Sequence, residues 1–182
     1  MKLTILGCYA ATPRTITNPT SQVLEIKNRM FLIDCGEGTQ VQLRKNKIKF
    51  SSINHIFISH LHGDHFYGLV GLISTFMLLN RQTDLHIHGP KGIKEIILLQ
   101  LKYSNSYTGY NLYFHELTSS ESEIIYEDEH ILVINKPYNL TVHDAPSVKD
   151  ATLVDWLKLQ NISLSTISGD ERHGIVHRLD KG

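Results

Sequence analysis

The chain has 182 residues, of which 41% are hydrophobic and 20% charged, a balance that suits one folded domain or two small ones. No stretch approaches the roughly 18 uninterrupted apolar residues of a membrane helix, and Met1-Lys2-Leu3-Thr4 runs directly into a strand pattern without a signal-peptide core, so a cytoplasmic location is expected. The net charge is zero, but residues 1 to 117 carry 12 Lys and Arg against 7 Asp and Glu, while residues 118 to 182 carry 6 against 11. A basic first segment suits a polyanionic partner, and the asymmetry marks a place to look for a boundary.

Short β-branched and apolar runs separated by Gly, Pro and Asn predict strands at Leu3 to Gly7, Val23 to Ile26 and Met30 to Asp34. A short helix is expected from Gly38 to Asn46, then a strand from Ile53 to Ser59 whose apolar run stops where a histidine cluster begins. Helical spacing follows from Phe66 to Leu79, a strand at Leu85-His86-Ile87, a second amphipathic helix from Lys91 to Tyr103 and a strand at Leu112-Tyr113-Phe114. Strands first and helices alternating with strands later predict a layered α/β domain. Cys8 and Cys35 both end apolar runs and read as reduced, part-buried thiols rather than a disulfide or a zinc site.

The polar run Thr118-Ser119-Ser120-Glu121-Ser122-Glu123 has the composition of a linker. Beyond it, Ile124-Ile125-Tyr126 and Ile131 to Asn135 predict a β-hairpin, with Glu127-Asp128-Glu129 in its turn. Ala151 to Leu159 predicts a short helix, and Gly174 to Gly182 another strand entering a turn. The expected division is therefore 1–117, a linker at 118–123, and 124–182.

The densest chemistry is His60-Leu61-His62-Gly63-Asp64-His65, four ligand-type residues in six positions directly after a strand. Hydrolytic zinc takes imidazole and carboxylate ligands, keeps a position for water and lowers that water's pKa to roughly 7. His60 and His62 lie two apart, so on an extended segment they point to the same side. Gly63 permits a tight turn that can aim Asp64 and His65 at a second ion. His86 and His88 form another pair, expected as surface residues beside Gly89-Pro90.

The HxHxDH pattern of residues 60 to 65 resembles the metallo-β-lactamase fold. Gly7-Cys8-Tyr9-Ala10-Ala11-Thr12-Pro13-Arg14, Asn18-Pro19-Thr20-Ser21, Asp34-Cys35-Gly36-Glu37-Gly38-Thr39-Gln40 and Ile58 to Leu69 look like the opening of ribonuclease Z, over residues 1 to 117. The resemblance implies a zinc-dependent endoribonuclease that removes 3′ trailers from precursor tRNA. His60 and His62 would bind the first zinc, Asp64 and His65 the second, and Asp64 would also accept a proton. Asp34 would orient a ligand by a hydrogen bond, with a strand-end turn carboxylate as the alternative. The family completes its two-zinc site with later ligands that lie beyond the matched part, and its members are homodimers. The fold expected is the N-terminal half of a metallo-β-lactamase-like αββα domain.

Glu127 to Pro137, followed by His173-Gly174-Ile175-Val176-His177-Arg178-Leu179-Asp180-Lys181, resembles a pseudouridine synthase of the RluA type, which implies an α+β fragment of that fold. Asp180 would be its catalytic residue and Arg178 would help hold the extruded base. Three readings are therefore carried forward: a zinc endoribonuclease with an incomplete site, a pseudouridine synthase, and a non-catalytic fused or truncated product.

Overall fold

The computed structural model describes residues 1–10, 12, 15–117, 123–136, 140–142, 152–160 and 162. The chain divides into two compact units, Met1–Thr118 and Ser119–Gly182. Among the described residues no helix is long and apolar enough to cross a membrane.

In the first unit the strands are β1 (Lys2–Gly7), β2 (Ser21–Ile26), β3 (Arg29–Cys35), β4 (Ile53–Phe57), β5 (Leu85–Pro90) and β6 (Leu112–Leu117). They form one six-stranded sheet in chain order. β1, β2 and β3 pair antiparallel, β2 and β3 through the two-residue turn Lys27-Asn28 and β1 and β2 through the longer segment 8–20. From β3 onward every pairing is parallel, which requires a crossover between successive strands. The crossovers are α1 (Thr39–Lys45), then α2 (Gly63–Phe66) with α3 (Leu69–Leu78), then α4 (Ile93–Tyr103).

Register assigns the two faces of the sheet, because directly paired residues point the same way. Val23, Leu32, Ile56, Ile87 and Phe114 form one such row. The row joins a single core with Leu43, Leu72, Ile73, Phe76 and Ile97 of the helices. The opposite face carries two rows, Phe31-His55-His86-Tyr113 and Ile33-Phe57-His88-His115. Their rings stack across the strands: His55 on His86 at 4.8 Å between centroids, His86 on Tyr113 at 5.0 Å and His88 on His115 at 4.4 Å. His88 is buried, which corrects its expected surface position: the alternation of β5 turns it onto a panel of rings rather than toward water.

The helix expected from Phe66 to Leu79 is two helices, broken at Tyr67-Gly68. The Gly68 N–H donates to the Cys35 carbonyl at 2.9 Å, pinning the break to the end of β3. A Cβ on Gly68 would meet the carbonyl oxygens of Gly36 and Cys35. The cysteines are both free thiols, as expected, but neither is part-buried: Cys35 is buried and Cys8 exposed.

In the second unit β7 (Glu123–Glu127) and β8 (Leu132–Asn135) form an antiparallel hairpin. The Asp128 carboxylate accepts from the His130 and Ile131 amides and closes its turn. The last helix, α5 (Leu153–Leu159), starts at a capping box in which Thr152 and Asp155 satisfy each other's amides. Leu153, Leu157 and Val142 form a small apolar cluster with Leu132 and Ile134 packed against it.

Candidate metal centre

The histidine cluster sits beyond the carboxyl ends of β3 and β4, the edge where parallel sheets present ligand-binding loops. After Phe57 the chain leaves the sheet as an extended segment, and His62, with φ −75° and ψ 143°, caps the four-residue α2. This local geometry gathers the three imidazoles. The His60 ring lies 4.6 Å from that of His62 and 3.9 Å from that of His65 between centroids. Asp64 joins them, its Oδ2 3.6 Å from Nε2 of His65. Gly36 makes room for this turn, since a Cβ there would collide with the Asp64 carbonyl oxygen.

Asp34 ends β3 in a left-handed conformation, φ 57°, which a non-glycine residue adopts at a cost of about 1–3 kcal/mol. It is 1% exposed. Its Oδ1 accepts from the Ser59 amide at 2.8 Å, and its Oδ2 accepts from the Ser59 hydroxyl at 3.0 Å. Oδ2 also lies 2.8 Å from Nδ1 of His65. A carboxylate only accepts, so this contact places the His65 proton on Nδ1 and leaves Nε2 with its lone pair. The same bond raises the pKa of His65 above its ordinary value, against the effect of burial. Ser59 Oγ lies 3.0 Å from Nδ1 of His60. With its own proton given to Asp34, the hydroxyl can accept from His60, again leaving Nε2 available. Burial lowers the pKa of His60, and His65 and His62 beside it add to the effect. The cluster therefore favours neutral imidazole at His60, the form that ligates metal.

His60, His62, Asp64, His65 and Asp34 are thus brought together; Arg178 and Asp180 lie outside the described residues. Ser59 is a part of the site that the sequence reading missed, and its only signal was its place between the strand and the first histidine. As a donor set the cluster suits a metal ion such as zinc, with three imidazoles, two of them tied back at Nδ1, and one carboxylate. The number of donors is short: among the described residues no three His, Cys, Asp or Glu side chains form a group that could hold a metal ion.

A mixed sheet with helical crossovers and a histidine-rich turn at its carboxyl edge defines the metallo-β-lactamase fold. The same fold is seen in the metallo-β-lactamase fold protein YhfI from Bacillus subtilis, 17% identical with a TM-score of 0.54 over 79% of this chain and 55% of that one. The chain belongs to the family described as Anti-Pycsar protein Apyc1, whose model matches residues 1–141. It is 51% identical to a ribonuclease Z of Bacteroides thetaiotaomicron over 136 residues, 75% of this chain and 43% of that protein. It is also similar to human tRNase Z, short form, at 33% identity and a TM-score of 0.66, over 74% of this chain and 59% of that one. These relatives bear out the resemblance of the first segment to ribonuclease Z. The chain spans less than half the length of the Bacteroides relative. The family match continues past residues 118–123 and includes the β7–β8 hairpin.

Proposed function

We propose that the first unit is the zinc-binding half of a ribonuclease Z-type endoribonuclease, acting on the phosphodiester that joins a 3′ trailer to precursor tRNA. The observation that carries this reading is the Asp34-Ser59 pair, which ties back the Nδ1 atoms of His60 and His65 and leaves their Nε2 lone pairs available. His60 and His62 would hold one zinc ion, and Asp64 and His65 a second. Bound there, zinc supplies a Lewis acid and a water acidic enough to attack phosphorus near neutral pH. Asp64 accepts the proton of the attacking water, Asp34 fixes the tautomer of His65, and Ser59 couples Asp34 to His60. Two protein ligands per ion fall short of the three usual in catalytic zinc sites, so activity requires further ligands from outside residues 60–65. Relatives named ribonuclease Z support the RNA substrate, and the excess of Lys and Arg in residues 1–117 suits it. A cytoplasmic homodimer is part of the same proposal.

The test is cleavage of a 3′-extended precursor tRNA in the presence of zinc. Release of the trailer, lost on Asp64→Asn, supports the reading. A trailer left intact at every protein concentration overturns it and leaves the non-catalytic reading in place.

For the second unit the pseudouridine synthase reading rests on the sequence motifs alone, since the β7–β8 hairpin falls within the family match to residues 1–141. Pseudouridine formed in RNA by the chain, and abolished by Asp180→Asn, would support it. No pseudouridine formed by the unmutated chain rules it out.

A further inference from the structure

At the opposite end of β4 from the histidines, a pocket of about 450 Å³ opens between the end of α1 and the loop before β5. Its walls include Arg44, Lys47, Lys49 and Arg81, its floor the rings of Phe50 and Phe76, and no acidic side chain lines it. β4 is five residues long, which at about 3.3 Å per residue puts the pocket roughly 17 Å from the histidine turn.

Two of the four cations have a structural use, which must be set aside first. Arg44 lies in the last turn of α1, where a cation complements the helix dipole, and its guanidinium lies 5.1 Å from the centre of the Phe50 ring. Arg81 is buried and ties loops together, donating to the carbonyls of Ile53, Thr83 and Asp84 and to the Asn54 side chain. All four acceptors are neutral. The Asp84 carboxylate, which accepts from Asn111, acts on the Arg81 charge from nearby, and the Phe76 and Tyr110 rings lie against the guanidinium, so Arg81 serves the pocket mainly as wall.

Lys47 and Lys49 have no such use. Among the described residues neither lies within ion-pair distance of a carboxylate. Lys47 also occupies the position after α1 where the chain turns left-handed, φ 56°. The Ile48 amide bonds the Leu43 carbonyl and the Lys47 amide that of Arg44, closing the helix end. Glycine serves such a position at about 1 kcal/mol less conformational cost. Lys47 takes that position and lines the pocket.

We propose that this pocket binds phosphate groups, as the diphosphate or triphosphate of a free nucleotide or as neighbouring phosphates of an RNA strand. Lys47 and Lys49, beside Arg44 and Arg81 in a lining that holds no carboxylate, match two negative charges in a cavity of nucleotide size. The site is independent of the ribonuclease reading, because it shares no residue with the histidine turn.

The experiment uses the whole chain and three probes: inorganic pyrophosphate and ATP by calorimetry, and a twelve-nucleotide oligouridylate by fluorescence anisotropy at rising KCl. Lys47→Gly and Lys49→Gln are compared singly and together. Lys47→Gly removes the ammonium while giving the left-handed position its preferred residue, so its melting midpoint should equal or exceed that of the parent. Binding of pyrophosphate or ATP at one site per chain, weakened about tenfold by each substitution, assigns the free-nucleotide source. Binding of the oligouridylate alone, with the salt slope reduced by about one for each lysine removed, assigns the RNA source. No binding of any probe, or a double variant that binds as tightly as the parent, overturns the proposal. Unchanged zinc uptake by both variants keeps this outcome separate from the fate of the ribonuclease reading.

Discussion

The Asp34 carboxylate and the His65 imidazole meet at 2.8 Å, Oδ2 to Nδ1, across 31 residues of sequence. Each constrains the other: the strand end holds the carboxylate buried and left-handed, and the carboxylate decides which nitrogen of His65 carries the proton. Asp34→Asn keeps the shape but offers an amide whose NH₂ can donate to Nδ1, permitting the other tautomer. Zinc uptake by the chain is therefore expected to weaken by about 10–100-fold, as measured by competition with a chromogenic chelator. Asp34→Asn with parental affinity would reduce the carboxylate to a turn residue.

The panel of rings on the other face predicts acid sensitivity. Burial, with His115, His55 and His86 nearby, pushes the pKa of His88 down to about 3 from an ordinary 6.5. The folded chain therefore refuses a proton that the unfolded chain accepts. The stability that His88 contributes is complete above pH 6.5 and is lost as the pH falls from 6.5 toward 3. Within that window the loss is about 1.4 kcal/mol per pH unit for one proton. Urea midpoints at pH 7.5, 6 and 5 should fall in that order, and His88→Phe should reduce the slope by one proton. A parental slope in His88→Phe contradicts the assignment.

The two thiols should differ sharply. Burial pushes the Cys35 thiol up to about 12, with Asp34 adding to the rise and a hydrogen bond with Thr39 opposing it, whereas Cys8 is exposed. At pH 7.5 a maleimide should label one thiol per folded chain, at Cys8, and both in urea. Rapid labelling of Cys35 in buffer would mean that the strand end opens.

Two glycines in neighbouring positions should respond in opposite senses. In Gly68→Ala the new methyl meets the backbone oxygens of Gly36 and Cys35, which cannot move without shifting β3. A loss of about 1–3 kcal/mol is expected, with weaker zinc uptake because the same contact positions Asp34 against α2. In Gly71→Ala, inside α3, the methyl meets only the end of the Gln40 side chain. Once that side chain turns aside, a gain approaching 1 kcal/mol is expected. Thermal melts of both variants decide the matter, and equal effects would contradict the packing described.

Much of this fold is legible in the sequence because strand patterns and turn residues are local. The six strands of the first unit, α1, α4, the β7–β8 hairpin and α5 all lie where period and punctuation place them, with no end shifted by more than three residues. The histidine turn is equally legible, since four ligand-type residues in six positions have no packing explanation. What escaped depends on contacts distant in sequence. The break at Gly68 arises from a carbonyl 33 residues earlier, and the burial of His88 follows from its register with Phe57 and His115. Ser59 gains its place only when Asp34 arrives beneath it. The basic pocket was visible only as a charge excess, because Arg81 comes from the segment after α3 and Arg44, Lys47 and Lys49 from the end of α1 and the residues after it.

The most direct test of the central claim is the zinc content of the whole purified chain after equilibration with the metal and gel filtration, measured with and without His60→Ala and His62→Ala. At least one zinc ion per parental chain is expected, lost when both histidines are replaced. Less than one ion per parental chain, or zinc that persists in the double variant, would contradict it.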